Sequence, residues 1–251
     1  MTLDPIHQFR LDNLFQFAQI GDHPIYFTNS SAYMVLAVVL TLILMIGGAA
    51  GGKLVPGRFQ SMAELTYEFV AATIRGNAGA EGMKFFPFVF SIFMFVCVSN
   101  MVGVIPYTLT VSSHLIVTFA LALLVFFTVM IYGFYKNGLK FLKIFMPSGI
   151  PIAVLPLVVA IEIFSFFLRP ISHSVRLFGN MLAGHIALKV FAGFVAMLGV
   201  SLGAIGWIGG IAPLALTTAI YALEILVAFL QAYVFAILTV IYLNDAIHPG
   251  H

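Results

Sequence analysis

Polar and ionisable side chains interrupt an otherwise apolar segment between Pro151 and Leu202. They are Glu162, Arg169, Arg176, Asn180 and His185. A charge in the middle of a bilayer costs roughly 2.5–3.5 kcal/mol on insertion scales, and a guanidinium group does not escape this cost by releasing its proton. Arg176 must therefore face a partner or a water-filled path. The pattern indicates an ion or proton pathway.

The composition is that of a membrane protein with several crossings. Hydrophobic residues make up 62% of the 251 residues and charged residues only 8%, and the mean hydropathy is +1.10. A soluble domain is typically about 25% charged. The net charge of +2 is too small to indicate a nucleic-acid partner, and the single Cys97 excludes an internal disulfide.

Three apolar runs in the first part of the chain approach the roughly 20 residues that a crossing helix needs. They are 33–50, 85–105 and 114–135. The stretch 58–75 differs because it is amphipathic. Phe59 and Phe69 share one side of its helical projection, and Glu64 opposes them. This pattern predicts a helix on the membrane surface, with packing on a soluble partner as the alternative. Residues 1–32 form an outer N-terminal segment.

The segment 150–198 is too long for one upright crossing. It holds either two short spans joined by a loop at 169–189 or one long tilted helix. Most basic residues lie in two other loops: Lys53, Arg58, Arg75, Lys84, Lys136, Lys140 and Lys143. The positive-inside rule makes these loops cytoplasmic, and a loop at 169–189 would break that rule. One long helix followed by 207–243 predicts five crossings, with the N-terminus outside and the C-terminus in the cytoplasm.

Helical phase supports the long helix. At about 100° per residue, one stripe collects five polar side chains: Glu162, Arg169, His173, Arg176 and Asn180. The final helix has its own polar face: Thr217, Glu224, Gln231 and Tyr242. Five glycines in 199–210 provide a turn. The sequence predicts a single all-α integral membrane domain over 1–251. It has about five crossings plus one amphipathic surface helix, and its last two helices form a long, tilted, antiparallel hairpin.

The register of that hairpin follows from a simple rule, because the numbers of facing residues add up to a constant. Three pairs have totals of 407 to 409: Arg176 with Gln231, His185 with Glu224, and Glu162 with Asp245. His185 falls about 140° away from the polar stripe. A bulge at Gly184 would turn His185 towards Glu224. Alternatively, His185 lines a separate cavity or is satisfied in a helix contact.

Two motifs in the hairpin are specific. The first runs from Ser174 to His185 and reads SVRLFGNMLAGH, and the second runs from Leu230 to Thr239 and reads LQAYVFAILT. Together they resemble subunit a of the F-type ATP synthase. The amphipathic stretch, the hairpin and the chain length fit as well, so the resemblance covers the chain from about Tyr33 to Leu243.

The resemblance implies a proton-conducting stator beside a ring of c subunits that carry membrane-embedded carboxylates. Two offset half-channels would load and unload this ring. Arg176 matches the family's essential arginine. The other matches are Asn180 and Gln231 as its polar neighbours, His185 and Glu224 as a relay whose acid and histidine are swapped in some members, and Glu162, Ser165 and His173 in the exit path. Further partners would be the peripheral-stalk b subunits, the remaining subunits and the lipid bilayer. No cofactor or metal is implied, and the subunit would not be catalytic alone.

Elementary electrostatics supports that mechanism. A fixed cation favours the ionised form of a passing carboxylate, so the proton leaves before the carboxylate reaches Arg176 and returns only afterwards. Lysine would serve less well because a buried lysine can lose its proton. Glu224 and His185 suit proton relay. The predicted topology places both on the outer side of Arg176 and Glu162 on the cytoplasmic side.

Two other classes also use buried polar residues. A proton-coupled secondary transporter would show internal repeats or paired broken helices, and no such repeat is evident. An intramembrane hydrolase would need a nucleophile with a base or a metal-ligand set, and Ser165 and Ser172 near His173 are the nearest approach to one. Binding of a purified c ring would separate the stator from both. The location is the bacterial inner membrane, with the mitochondrial inner membrane as the alternative. The sequence of this subunit does not specify the number of c subunits in the ring, and it leaves sodium as an alternative to protons.

Overall fold

The computed structural model describes residues 10–20, 23–50, 52, 55–105, 108–146, 151 and 154–248. Two strands come first, β1 (Asn13–Ile20) and β2 (His23–Thr28). The α-helices that follow are α1 (Asn29–Ala49), α2 (Arg58–Gly82), α3 (Phe86–Val104), α4 (Leu115–Asn137), α5 (Leu155–Gly209) and α6 (Ile211–Ile247). Short 3-10 helices occupy Met83–Phe85, Val111–Ser113 and Gly138–Phe145.

Five helical stretches of the described residues are long and apolar enough to cross a membrane. They are Asn29–Ala49, Arg58–Val104, Leu115–Phe145, Leu155–Ser201 and Gly206–Ile247. This confirms the predicted all-α membrane fold with about five crossings. The second stretch joins the amphipathic α2 to the apolar α3. Residue 150, where the fifth helical segment was predicted to start, lies outside the described residues.

The last two helices form a bent hairpin, as predicted. Helix α5 continues through 169–189 and keeps Pro170 inside it, so no loop interrupts the polar stripe. Near its end, Gly203 departs from helical geometry with φ +56° and ψ −131°, a conformation that glycine tolerates and other residues avoid. Gly210 then separates α5 from α6. The predicted glycine-rich turn is therefore a kink at Gly203 followed by a break at Gly210.

The antiparallel hairpin β1–β2 is an element that the sequence analysis did not predict. The rings of Phe15 and Phe27 stack across it with centroids 5.0 Å apart. The backbone N–H of Asn29 donates to the Asp12 carbonyl at 3.0 Å, and the Asn29 side-chain amide donates to the Arg10 carbonyl at 3.1 Å. These bonds attach the hairpin directly to the start of α1, without a linker.

The structure divides into two compact units that interleave along the chain. The first unit comprises Met1–Leu40, Phe95–His114 and Leu177–Ala232, and the second comprises Thr41–Met94, Leu115–Arg176 and Tyr233–His251. The first unit therefore holds the turn half of the α5–α6 hairpin together with the end of α3 and the α3–α4 loop. The second holds the other half of that hairpin together with α2 and α4.

Helix packing in the second unit depends on small residues and a few polar ties. A Cβ built on Gly48 would lie 2.5 Å from the Ala63 Cβ, so α1 and α2 approach closely only because Gly48 has no side chain. The Lys136 Nζ lies 2.5 Å from the Glu81 Oε2 and links α4 to α2. The Asn137 amide donates to the Ala246 carbonyl at 2.7 Å, which fixes the end of α6 against α4.

Candidate functional site

His185 and Glu224 meet inside the first unit. The His185 Nδ1 lies 3.3 Å from the Glu224 Oε1. Both residues are buried, with 8% of His185 and 4% of Glu224 exposed. Among the described residues, neither carboxylate oxygen of Glu224 has a hydrogen-bond partner. A buried carboxyl group without hydrogen bonds is costly when ionised, so this pair is a place where a proton is readily held.

One of the alternatives for His185, a bulge at Gly184, is absent, because the described backbone of α5 leaves helical geometry at Gly203 and not at Gly184. Glycine acts here through its missing side chain. Gly184 lies on the polar stripe of α5, and a Cβ built on it would come 3.0 Å from the Glu224 Oε1 and 3.4 Å from its Cδ. The carboxylate therefore passes over bare backbone at Gly184 and reaches the neighbouring His185, although that residue points away from the stripe.

A buried polar loop closes the other side of His185. The Thr110 Oγ1 lies 2.5 Å from the His185 Nε2 and 3.2 Å from the Gly103 carbonyl oxygen. The Ser113 hydroxyl donates to the Thr110 carbonyl at 2.6 Å and holds the loop in a tight turn. His185 thus has a close polar neighbour at each ring nitrogen: a carboxylate oxygen from α6 lies 3.3 Å from Nδ1, and a loop hydroxyl lies within hydrogen-bond distance of Nε2.

Asn100 extends this polar cluster along α3. Its side chain is fully buried, and its amide donates to the Ala228 carbonyl on α6 at 3.1 Å. The Ser112 hydroxyl donates to the Asn100 Oδ1. Sequence analysis missed Asn100, Thr110 and Ser112. The available signal was an amide inside the apolar run 85–105 and a hydroxyl-rich segment just before the next span.

The other predicted site residues of the first unit have different environments. Gln231 on α6 is buried, with 9% of its surface exposed, whereas Asn180 on α5 is exposed. Neither appears in a hydrogen bond that the described residues supply. The exposed amide of Asn180 can therefore reach water or a partner, whereas that of Gln231 is enclosed by the packing.

His173 is the buried member of the predicted group in the second unit. It is 3% exposed, and its ring lies 3.7 Å from the ring of Phe235 between centroids. Its Nε2 has no hydrogen-bond partner among the described residues. Glu162, one of its predicted companions, is half-buried, and Ser165 is exposed. These three residues share the first half of α5 but make no contact with one another that the described part of the chain records.

Arg169 and Asp245 form an ion pair in the second unit, with 2.8 Å between the Arg169 Nη1 and the Asp245 Oδ2. The Arg169 Cζ also lies 4.8 Å from the ring centroid of Tyr242 and 5.3 Å from that of Phe166. The predicted register placed Asp245 opposite Glu162. In the structure the Asp245 carboxylate is neutralised by the guanidinium of Arg169, seven residues further along α5, a contact that the register does not predict.

Arg176 is exposed on α5. Its guanidinium takes part in no hydrogen bond or ion pair with the described residues, in contrast to Arg169. An unneutralised cation on the apolar surface of a membrane helix is costly. Arg176 is therefore suited to a carboxylate supplied by another molecule.

Comparison with known proteins agrees with these observations. A family model described as ATP synthase A chain matches residues 31–244. A protein named ATP synthase subunit a from Bradyrhizobium diazoefficiens is 72% identical over 251 residues, which cover 100% of both chains. Its namesake from Rhodopseudomonas palustris strain TIE-1 is 70% identical over the same length, with the same coverage. The namesake from Nitrobacter winogradskyi is 69% identical over 249 residues, or 99% of this chain and 100% of the relative. The chain therefore belongs to the ATP synthase A chain family.

Proposed function

We propose that this chain is the proton-conducting stator subunit of an F-type ATP synthase. Two half-channels would connect opposite sides of the membrane to the carboxylates of a rotating c ring, and proton flow through them would drive rotation. The subunit makes no ATP by itself. The observation that carries this proposal is the buried contact of 3.3 Å between His185 and Glu224, since a relay needs a proton-holding pair inside an apolar region.

The outer half-channel is assigned to the first unit. Glu224 accepts a proton arriving from outside and shares it with His185, which lies against its carboxylate. Gln231 and Asn180 provide uncharged hydrogen-bonding groups that pass the proton on through water to the ring. A polar side chain in an apolar membrane helix is costly unless water or a partner reaches it. This cost supports a place for these residues in a water-filled path.

The cytoplasmic half-channel is assigned to the first half of α5. Glu162 is half-buried and Ser165 is exposed, so both can line a water-filled path. His173 is buried among aromatic rings, and its free Nε2 is suited to a water-mediated bond at the inner end of that path. This assignment requires the N-terminus to lie outside and the C-terminus in the cytoplasm.

Arg176 separates the two paths. Its exposed, uncommitted guanidinium would attract each ring carboxylate in turn and hold it ionised while it passes. The same charge repels protons that would otherwise run directly from one half-channel to the other. The partners are therefore the c ring, the peripheral-stalk b subunits, the remaining subunits of the complex and the surrounding lipid.

The test is replacement of Arg176 in vesicles that carry the assembled complex. We expect Arg176→Ala to lower ATP synthesis from an imposed proton gradient by at least about 100-fold, as for the loss of a key electrostatic group. Vesicles that hold the membrane sector alone should leak protons passively. Arg176→Lys should also fail, because a lysine in this environment can release its proton.

Arg10→Ala is the matched control, since Arg10 is an exposed cation before the first helix, with 74% of its side chain accessible. It should leave synthesis near the unmodified rate. Synthesis by Arg176→Ala vesicles at near the unmodified rate would overturn the proposal.

A further inference from the structure

Thr110 is a buried polar residue of the first unit to which the proposed relay gives no role. It is 2% exposed and lies in the loop between α3 and α4. Its hydroxyl oxygen lies within hydrogen-bond distance of two atoms, the Gly103 carbonyl oxygen at 3.2 Å and the His185 Nε2 at 2.5 Å. A hydroxyl group has one hydrogen to donate and two lone pairs to accept with.

The two partners of this hydroxyl are not equivalent. The Gly103 carbonyl oxygen can only accept, whereas a ring nitrogen of histidine either donates or accepts, depending on the tautomer. If the Thr110 hydrogen goes to Gly103, both contacts are satisfied only when the His185 Nε2 carries a hydrogen and donates it to Thr110. The opposite arrangement leaves the short contact satisfied but loses the bond from Thr110 to the carbonyl.

The other ring nitrogen completes the proton count. A neutral imidazole that carries its hydrogen on Nε2 has a bare lone pair on Nδ1. The Glu224 Oε1 lies 3.3 Å from this Nδ1, and neither carboxylate oxygen has a hydrogen-bond partner in the described part of the chain. An ionised carboxylate would repel a bare lone pair. A protonated carboxyl group would donate to it and keep the buried pair neutral.

We propose that Thr110 is a positioning residue that holds His185 in the Nε2–H tautomer, so that the Glu224 proton is the one shared with Nδ1. The transfer then balances. The O–H bond of Glu224 breaks and an Nδ1–H bond forms on His185. The neutral pair becomes a carboxylate and an imidazolium, and Nε2–H continues to donate its hydrogen bond to the Thr110 hydroxyl. The role of this transfer in proton flow rests on the proposed function, but the tautomer itself does not.

The first test is spectroscopic. The full chain, labelled with 15N-histidine and reconstituted in lipid bilayers, is compared with His185→Gln to identify the His185 signals. We expect a protonated, pyrrole-type Nε2 and an Nδ1 that lacks its own hydrogen. Thr110→Val has the same shape but no hydroxyl, and it should move the hydrogen to Nδ1, whereas Thr110→Ser should keep it on Nε2. A bare Nε2 in the unmodified chain would overturn the inference without any variant.

The second test measures ATP synthesis in vesicles with the assembled complex. We expect Thr110→Val to lower proton-driven synthesis by about tenfold, less than the roughly 100-fold or more for loss of a proton-transfer group itself, and Thr110→Ser to restore most of it. Thr108→Val is the control, because among the described residues the Thr108 hydroxyl bonds backbone carbonyls, those of Val102 and Ile105 at 2.7 Å and that of Gly103 at 3.4 Å, and no histidine. A loss as large in Thr108→Val, or none in Thr110→Val, would contradict the positioning role.

The two tests separate this inference from the proposed function. In one outcome, the Nε2–H tautomer depends on Thr110 but proton flow is unimpaired after replacement of Glu224. This outcome would contradict the stator mechanism and leave the inference intact. The converse result, with proton flow lost on replacement of Glu224 and no effect of Thr110 on the tautomer, would contradict the inference alone.

Discussion

Each of the two units contains a carboxylate of α6, and the two carboxylates differ in burial and in bonding. In the first, Glu224 lies beside His185 with 3% of its side chain exposed and without a hydrogen bond from the described residues. In the second, Asp245 is 31% exposed and bound at 2.8 Å by Arg169. A permanent cation fixes the charge of Asp245, whereas an imidazole, which can be neutral or protonated, imposes no fixed charge on Glu224. The same pair of helices thus carries one carboxyl group suited to proton transfer and one suited to holding structure.

The two carboxylates also differ in their contribution to the free energy of folding. A partly exposed ion pair contributes about 0–1 kcal/mol, and the cation–π contact of Arg169 with Tyr242 adds about 0.5–1 kcal/mol. Losing either should be tolerated. A buried carboxyl group without bonds costs free energy instead of supplying it. Its presence therefore calls for a functional explanation, while the Arg169–Asp245 pair is explained by packing alone.

The largest predicted difference lies between Glu224→Gln and Asp245→Asn, two substitutions of the same chemical kind. Under the proposed mechanism, Glu224→Gln removes the group that holds the transferred proton, and it should lower proton-driven ATP synthesis by about 100-fold. The Arg176 barrier stays in place, so no passive leak should open. Asp245→Asn should reduce synthesis by less than about threefold, because Arg169 keeps its contact with Tyr242.

Both variants are compared in vesicles at equal complex content, with synthesis measured under an imposed proton gradient and passive permeability measured on the membrane sector. Glu68→Gln, at an exposed carboxylate of α2, controls for the change of acid to amide. Equal losses in Glu224→Gln and Asp245→Asn would remove the distinction between the two carboxylates.

A smaller effect is expected at Gly184. An added Cβ would lie 3.0 Å from the Glu224 Oε1, so Gly184→Ala should displace the carboxylate by a few tenths of an ångström. We expect about a fivefold loss of proton-driven synthesis, equivalent to about 1 kcal/mol. Gly184→Val should lose more, because a branched side chain cannot leave room for the carboxylate.

Gly76→Ala provides the control for Gly184→Ala, since a Cβ at Gly76 meets no atom within 4 Å. It should leave synthesis unchanged. Full activity in Gly184→Val would show that the close passage of Glu224 over Gly184 has no part in the relay.

Much of this architecture follows from sequence patterns. Hydropathy and basic loops predict the crossings, and the helical phase of Glu162 through Asn180 predicts that α5 is continuous. The contact of His185 with Glu224 follows from the antiparallel register. The first two features repeat along a helix, and the third follows from the regular geometry of two antiparallel helices, so each has a periodic signal in the sequence.

Contacts made by single side chains were harder to predict. The ion pair of Asp245 with Arg169 was not predicted, because a helical register specifies which positions face each other and not how far a long side chain reaches. The role of Gly184 depends on a neighbour from another helix, and that of Thr110 on a loop whose path no periodic pattern specifies. The β1–β2 hairpin depends on cross-strand pairing such as that of Phe15 with Phe27, which two short stretches show only when they are brought together.

The central claim is that the proposed half-channel at Glu224 and the proposed half-channel at Glu162 open to opposite sides of the membrane. Aqueous access tests this claim most directly. Glu224→Cys and Glu162→Cys are each placed in a Cys97→Ser background and treated with a membrane-impermeant thiol reagent, in vesicles of either orientation. The account predicts that the cysteine at 224 reacts from outside and the cysteine at 162 from the cytoplasm, with no labelling of the background. Reaction of the cysteine at 224 from the cytoplasm alone would contradict both the channel assignment and the five-crossing topology.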